Sequence, residues 1–170
     1  MYKTTIEAGN KSVYDIHRDV MALFEGKLPA RVLWRRDGDV ITVVSNIPIG
    51  EQCEELNYKL KEGVRYWFSW RFNPTVKRDG KRWLTRSLNQ WLERKASENG
   101  FEVVTVSRLR DEGVVECKNG VKLPSFDMRG ELRITDMAAF TRALERGIGS
   151  QKAWGFGLLS LDVLHKKDSA

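Results

Sequence analysis

The pattern of apolar and polar positions along the chain predicts two successive series of strands and helices in a similar order. In the first round, a strand pattern leads into a helix whose apolar residues recur at steps of three and four, and Ser12 is a favourable N-cap for that helix. Asp37-Gly38 is a tight-turn signal between two further strands. The predicted elements are strands over Tyr2–Ala8, Arg31–Arg36, Asp39–Ser45 and Glu54–Leu60, and a helix from Ser12 to about Phe24.

The second round starts at Arg65 and contains two helices. Ser87 begins the first, which Asn99-Gly100 ends, and Thr135 caps the second. Asn119-Gly120 predicts another tight hairpin. The predicted elements are strands over Arg65–Phe72, Phe101–Arg108, Val114–Cys117, Val121–Leu123, Ser125–Ile134 (with a turn or bulge at Gly130) and Gly157–Leu164, and helices over Ser87–Ser97 and Asp136–Arg146.

Two successive units of this kind predict an α+β protein of two tandem ferredoxin-like (RRM-like) domains, each an antiparallel sheet with helices on one face. We place the domains at residues 1–62 and 63–170, with a groove between the sheets. The first unit has little room for its second helix, because Asn46–Cys53 is short and contains Pro48 and Gly50.

The excess positive charge of the chain is concentrated in one segment, which suggests where a partner could bind. The 170 residues carry a net charge of +6, whereas Arg65–Lys95 alone has nine basic residues against two acidic ones, a net charge of +7. The same segment holds seven aromatic residues, and cations interleaved with rings suit nucleic acid. The alternation within Tyr66–Phe72 also fits a buried aromatic strand. Lys77–Arg82, predicted as a loop, is too charged to pack.

Several classes of protein find no support in the residues. Cys53 and Cys117 lie far apart without a CxxC pair, so neither a disulfide framework nor a zinc site is indicated. No apolar run approaches the roughly 20 residues of a membrane helix. The first residues lack the apolar core of a signal peptide. We therefore expect a reduced, cytoplasmic protein without membrane contact, metal or other cofactor.

The most distinctive segment is glycine-rich and runs from Gly147 to Leu161, from a helix into a strand. Its glycine spacing and position differ from the dinucleotide-binding fingerprint, and it has no Gly-Lys-Ser/Thr of a phosphate-binding loop. Glycines permit positive φ and let backbone N–H groups approach an anion. The alternative is a strained turn that needs glycine only for packing.

This segment resembles the C-terminal glycine loop of the CRISPR-associated RAMP proteins, and in particular that of the CasE endoribonuclease family. Tyr14-Asp15-Ile16-His17 resembles that family's first helix, and Arg71-Phe72-Asn73-Pro74 resembles the end of one of its strands. The resemblance spans Met1 to about Leu161, in a chain shorter than is common in the family. An auxiliary lysine of some members has no secure counterpart, although Lys27 is a candidate. The matching loop positions are Gly147, Gly149, Lys152, Gly155, Gly157 and Leu158–Leu161.

The resemblance implies an antiviral-defence enzyme that processes CRISPR RNA. Such an enzyme cuts precursor RNA at the 3′ base of the repeat hairpin without a metal, leaves a 2′,3′-cyclic phosphate, and retains the product within Cascade beside the backbone RAMP subunit. Helical spacing puts Tyr14 and His17 on one side of the first helix. We assign proton transfer to His17, and hydrogen bonding of the phosphate or of His17 to Tyr14.

Basic residues on the predicted hairpins and glycines of the loop are the candidate RNA contacts. Two other functions remain open: a noncatalytic subunit that binds the hairpin RNA of a CRISPR effector complex, and a general nucleic-acid-binding module. The candidate contacts are Arg31, Arg35, Arg36, Arg71, Lys77, Arg78, Lys81, Arg82, Arg86, Lys118, Lys122, Gly147, Gly149, Lys152, Gly155 and Gly157.

Overall fold

The described residues from 2 to 55, the first half of the fold, form a four-stranded antiparallel sheet with one helix. The computed structural model describes residues 1–27 and 30–162. The elements are β1 (Tyr2–Glu7), α1 (Val13–Ala22), β2 (Val32–Asp37), β3 (Val40–Ser45) and β4 (Glu54–Glu55). The sheet order is β2-β3-β1-β4.

Residues 65–162, the second half of the fold, form another antiparallel sheet. The elements are β5 (Arg65–Phe72), β6 (Thr75–Arg78), β7 (Lys81–Leu84), α2 (Leu88–Glu98), β8 (Phe101–Glu116), β9 (Lys122–Ile134), α3 (Met137–Arg146) and β10 (Leu159–Asp162). The sheet order is β10-β5-β9-β8. In both sheets the first strand of the unit lies between the third and the fourth, with the second outside the third, as in a ferredoxin-like domain. The predicted α+β fold with two such units is confirmed, while the boundary at residue 62 stays a prediction.

Capping side chains begin α1, α2 and α3. The Ser12 side chain accepts a hydrogen bond from the Asp15 backbone N–H at 3.1 Å, as predicted. The predicted cap Thr135 is wrong by one residue: Asp136 caps α3 by accepting from the Ala139 N–H at 2.9 Å. The backbone N–H of Thr135 instead donates to the carbonyl of Gly100.

The strand predicted over Glu54–Leu60 is reduced to the two residues of β4. Its apolar side chains alternate with polar ones, which is why the pattern resembles a strand. Tyr58 and Leu60 are partly buried against the core of the second half, and Leu56 packs against a small cluster between the halves. This segment therefore crosses from one half to the other as an extended connection.

β8 is one long strand where the sequence predicted two. It pairs with β9 through three register shifts, two of which flank the pairing of Val106 with Gly130. A Cβ at Gly130 would lie 1.9 Å from the Thr105 carbonyl oxygen, so this close approach requires glycine. The predicted bulge is thus on the strand opposite Gly130. At the tip, Lys118–Gly120 forms a 3₁₀ turn.

The segment predicted as a basic loop, Lys77–Arg82, is the end of the β6–β7 hairpin. Asp79 and Gly80 form its turn with positive φ angles of 48° and 75°. Asp-Gly is an ordinary hairpin signal, so the sequence contained the evidence for these two strands. In the β2–β3 hairpin the turn is also shifted by one residue from the prediction, because Asp37 pairs with Val40.

Most of the aromatic segment is buried. Phe68, Trp70 and Phe72 face the core of the second half, where Trp91 of α2 stacks on Trp70 and Phe72 at centroid distances of 5.7 and 5.3 Å. These four rings therefore cannot stack on nucleic-acid bases, and the buried-strand interpretation is correct for them. Trp83 of β7 differs, with 56% of its surface exposed.

The first half has its core between α1 and its sheet. Ile16 and Val20 of α1 pack with Phe24 against Trp34 of β2 and Val43 of β3. The opposite face of the sheet contributes to a cleft of about 700 Å³ between the two halves, which corresponds to the predicted groove. Within residues 1–27 and 30–162, no helix combines the length and the hydrophobicity needed to cross a bilayer.

Ion pairs and hydrogen bonds join β2 to the second sheet. Arg35 donates to the Ser69 hydroxyl at 2.8 Å, and Arg71 donates to the Arg36 carbonyl. Arg71 also donates to Asp127 at 2.9 Å and lies 3.5 Å from Asp37. Since the Asp127 side chain is buried, its charge depends on Arg71 for compensation.

We predict that Asp127→Asn lowers the free energy of unfolding by about 3 kcal/mol, because it leaves the Arg71 guanidinium without its nearest counter-ion in the interior. Glu131→Gln is a matched control on the same strand: its 3.9 Å pair with the exposed Arg65 is expected to contribute about 0.5 kcal/mol. Urea denaturation of both variants measures the difference. Equal losses would contradict the assigned role of Asp127.

Candidate active site

Tyr14, His17 and Trp154 form an aromatic cluster where α1 meets the glycine loop. The His17 and Trp154 ring centroids lie 5.0 Å apart with their planes inclined by 50°. The Tyr14 ring lies 6.3 Å from the same indole. The helix thus brings both predicted catalytic side chains to one partly buried place, as the spacing of three residues required.

Trp154 reaches α1 because the glycine loop is held against β2. Lys152–Trp154 is a 3₁₀ turn bounded by Gln151 and Gly155, which have positive φ angles of 65° and 87°. The Trp34 indole N–H donates to the Ala153 carbonyl at 3.2 Å. A Cβ at Gly155 would lie 2.9 Å from the Trp34 ring, so the close contact excludes any larger residue.

Lys118 joins this cluster from the tip of the β8–β9 hairpin. Its ammonium nitrogen lies 5.5 Å from the centroid of the Tyr14 ring, within the range of a cation–π contact. The sequence predicted Lys118 as an RNA contact but did not connect it with Tyr14. Lys122 is exposed at the start of β9, and Lys27 is exposed beyond α1.

The His17 imidazole is enclosed on one side. Its Nδ1 atom is buried and has no hydrogen-bond partner among the described residues. Catalytic histidines commonly have this nitrogen fixed by a carboxylate or a carbonyl. Here the neighbouring group is the Trp154 ring. The cluster therefore brings an imidazole, a phenol and an ammonium group to one place.

Four arginines predicted as RNA contacts differ in their burial and in the number of hydrogen bonds and ion pairs that they make with the protein. Arg35 is buried and pairs with Asp37 at 2.8 Å, and Arg71 belongs to the same network. Arg36 donates to the carbonyls of Gly9, Lys11 and Gly38 at 2.8–2.9 Å. Arg31 is exposed and lies 3.8 Å from Glu145.

The basic side chains of the β6–β7 hairpin are exposed to solvent. Lys77, Arg78, Lys81 and Arg82 are all exposed, as is Arg86 after β7. The base of the hairpin is tied to the glycine loop, because the hydroxyls of Thr75 and Ser150 lie 3.3 Å apart. This hairpin therefore projects basic side chains from the half of the protein that carries the loop.

Protein atoms take up most of the N–H groups of the glycine loop that were predicted to face an anion. Gly147, Gly155 and Gly157 donate to the carbonyls of Ala143, Lys152 and Arg71, respectively. A Cβ at Gly147 would lie 2.7 Å from Leu33, and one at Gly157 would lie 3.0 Å from the Ile148 carbonyl. These contacts support the packing interpretation for the three glycines. Gly149 has more space, although its φ is +90°.

Lys152 lies among other cations. Burial lowers the pKa of its ammonium group, and the charges of Lys95 and Arg146 lower that pKa further. Arg31, Arg146 and Lys152 line one shallow pocket beside β2. Among the described residues, no group of three or more His, Cys, Asp or Glu side chains is arranged to hold a metal ion.

A model of the family described as "CRISPR associated protein" matches residues 3–162. The chain belongs to this CRISPR-associated family. No curated protein sequence matches it significantly.

Solved structures with the same fold cover nearly the whole chain of this family member. The CRISPR endoribonuclease Cse3 bound to a 19-nucleotide RNA is 23% identical, with a TM-score of 0.80 and coverage of 95% of this chain and 97% of that one. The CRISPR-associated protein Cas6e from Escherichia coli K-12 is 26% identical, with a TM-score of 0.72 and coverage of 95% and 98%. A chain of E. coli Cascade bound to a double-stranded DNA target is 23% identical, with a TM-score of 0.65 and coverage of 95% and 98%.

Sequence reasoning missed Trp154 as part of the site. The residue stands within the glycine loop, but nothing in the local sequence shows that the loop packs on α1. The available signal was the aromatic residue directly before Gly155 in an otherwise small and polar stretch. The contacts of its neighbours Ala153 and Gly155 with Trp34 explain where that ring is placed.

Removing the crowded charge at Lys152 is predicted to stabilise the free protein. Because the pKa of Lys152 is lower in the folded state, its charged form opposes folding below that pKa, and the cost disappears above the ordinary lysine pKa of about 10.4. Lys152→Met should therefore raise the melting temperature at pH 7, and the gain should shrink as pH rises through the lysine range. Thermal unfolding from pH 7 to 10.5 measures it. A gain that does not change with pH would contradict the electrostatic cause.

Proposed function

We propose that this protein is a metal-independent endoribonuclease that cuts precursor CRISPR RNA at the 3′ base of the repeat hairpin. The convergence of Tyr14, His17 and Lys118 beside the glycine loop carries the proposal. Family membership and the likeness to the Cas6e and Cse3 proteins support it.

The reaction needs no group beyond those of the RNA and these side chains. The 2′-oxygen upstream of the scissile phosphate attacks phosphorus, the bond to the 5′-oxygen breaks, and a 2′,3′-cyclic phosphate forms. The 2′-hydroxyl loses a proton and the leaving 5′-oxygen gains one, so the enzyme must exchange protons and stabilise the added charge on the phosphate. We assign proton transfer to His17, whose imidazole suits it near neutral pH.

Tyr14 and Lys118 then act on the phosphate. The phenol donates a hydrogen bond to a non-bridging oxygen or to His17, and the ammonium group of Lys118 offsets the charge that develops there. Since Lys118 is at the tip of a hairpin in the second half, productive geometry requires both halves to hold their positions. This gives Lys118 the auxiliary role for which sequence reasoning considered Lys27.

RNA binding is assigned mainly to the exposed cations. Double-stranded RNA is recognised through its backbone and shape, so exposed basic side chains on a projecting hairpin suit its stem. The β6–β7 hairpin and Lys122 present such side chains to solvent. The contribution of Arg35, Arg36 and Arg71 to RNA binding is indirect, because protein atoms already engage their side chains. After the cut the enzyme keeps its RNA product bound. The enzyme itself is then a subunit of Cascade, next to the backbone RAMP subunit.

Incubation with the repeat RNA of its own host in EDTA tests the function. We expect a single cut at the 3′ base of the hairpin and a product ending in a cyclic phosphate, identified by mass spectrometry. His17→Ala should lower the single-turnover rate by about 100- to 10,000-fold, because it removes general acid–base catalysis. The dissociation constant for the repeat should stay within a few-fold of the wild type.

Other outcomes of this experiment would contradict the proposal. An equal rate for His17→Ala would exclude the assigned mechanism. Tight binding of the repeat by the wild type without any product would identify a noncatalytic hairpin-binding subunit. Similar affinity for unrelated hairpins at physiological salt would identify a general nucleic-acid-binding module.

The salt dependence of binding tests the role of the hairpin. Lys81→Gln combined with Arg82→Gln should weaken repeat binding and reduce the slope of log K against log salt, by about 0.7–0.9 for each lost phosphate contact. A matched control changes the exposed Lys59 and Lys61 of the connecting segment to glutamine. Equal slopes for the two double variants would argue against the hairpin as an RNA contact.

A further inference from the structure

We infer that Trp154 is a positioning residue that holds the His17 imidazole in its reactive orientation, an inference that rests on the proposed function. The juxtaposition that carries it is the indole lying 5.0 Å from the imidazole, beside a buried Nδ1 atom without a hydrogen-bond partner among the described residues.

The orientation of a catalytic imidazole has to be fixed by a neighbour. In most such sites a hydrogen bond to one ring nitrogen sets the tautomer and the rotation of the ring about its side-chain bonds. Where the structure is described, His17 has no such bond at Nδ1. Packing against a large flat ring restricts the same rotation sterically, and the inclined contact adds the attraction typical of aromatic pairs. Nε2 is then the nitrogen left for the RNA.

Trp154 is well suited to this task because its own backbone is held on several sides. Its N–H donates to the Gln151 carbonyl at 3.0 Å, and the preceding carbonyl accepts from the buried Trp34. Gly155 then lets the turn lie directly on Trp34. The backbone of Trp154 is therefore tied to Trp34 in the core of the first half, and α1 packs on the same core. The Trp154 and His17 rings thus keep one relative position.

Cleavage kinetics of Trp154 variants test the inference. We expect Trp154→Leu, which keeps apolar bulk but not the ring, to lower the single-turnover rate by about 10- to 100-fold, since a displacement of about 1 Å has such an effect. Affinity for the repeat RNA should be unchanged, and Trp154→Phe should restore most of the rate. Trp67→Leu is the matched control, because Trp67 is also partly exposed and lies in the cleft on the second sheet. Melting temperatures exclude variants that fail to fold.

A spectroscopic measurement detects the contact without RNA. The chain has two histidines, so an imidazole NMR spectrum of the free protein contains two sets of signals, and His17→Gln identifies that of His17. In the wild type we expect the ring current of Trp154 to displace these signals from the position of a free imidazole. The displacement should disappear in Trp154→Leu and partly return in Trp154→Phe.

The two measurements separate failure of this inference from failure of the proposed function. A wild-type cleavage rate in Trp154→Leu, a parallel loss of affinity in that variant, or undisplaced His17 signals in the wild type would each overturn the positioning role. Parallel loss of affinity would make Trp154 an RNA contact instead. A wild type that binds the repeat but never cuts it would overturn the proposed function, and the positioning role with it.

Discussion

The fit of the glycine loop around β2 is the contact on which the rest of the structure depends. Leu33 and Trp34 point to opposite faces of this strand, and the loop approaches both, with Gly147 against Leu33 and Gly155 against Trp34. A side chain at either glycine would separate the two halves. Because the loop follows α3 and leads into β10, the same contact fixes the second sheet relative to α1.

The candidate active-site cluster is a consequence of that fit. Tyr14 and His17 are placed by the first half, whereas Trp154 and Lys118 come from the second. The halves also meet through Arg35, Ser69 and Arg71, whose hydrogen bonds specify one alignment of β2 against β5. A site divided in this way is assembled only when both sheets are folded and docked.

The basic side chains fall into two groups, those engaged by protein atoms and those exposed to solvent. Some cations are engaged by protein atoms: Arg35 pairs with Asp37 and Arg36 donates to carbonyls within the first half, whereas Arg71 reaches Asp37 across the two halves. Others, on the β6–β7 hairpin, have exposed side chains. Lys152 differs from both groups, because burial and the neighbouring cations Lys95 and Arg146 lower the pKa of its ammonium group.

Local sequence determined the elements and their order, because apolar periodicity, capping residues and Asp-Gly or Asn-Gly turns act within a few residues. Ser12, Ser87 and the aromatic strand were predicted to the residue or nearly so, and a resemblance supplied His17 and Tyr14. The strand predicted over Glu54–Leu60 was too long, since only Glu54–Glu55 pair with β1 and alternating apolar residues serve equally well in the connection that follows. Tertiary structure decided which arginines are buried, because Arg35 and Arg71 make hydrogen bonds to residues 34 and 56 positions away. It also decided why the loop needs glycine and that Trp154 and Lys118 reach α1, because those contacts join residues more than 100 positions apart.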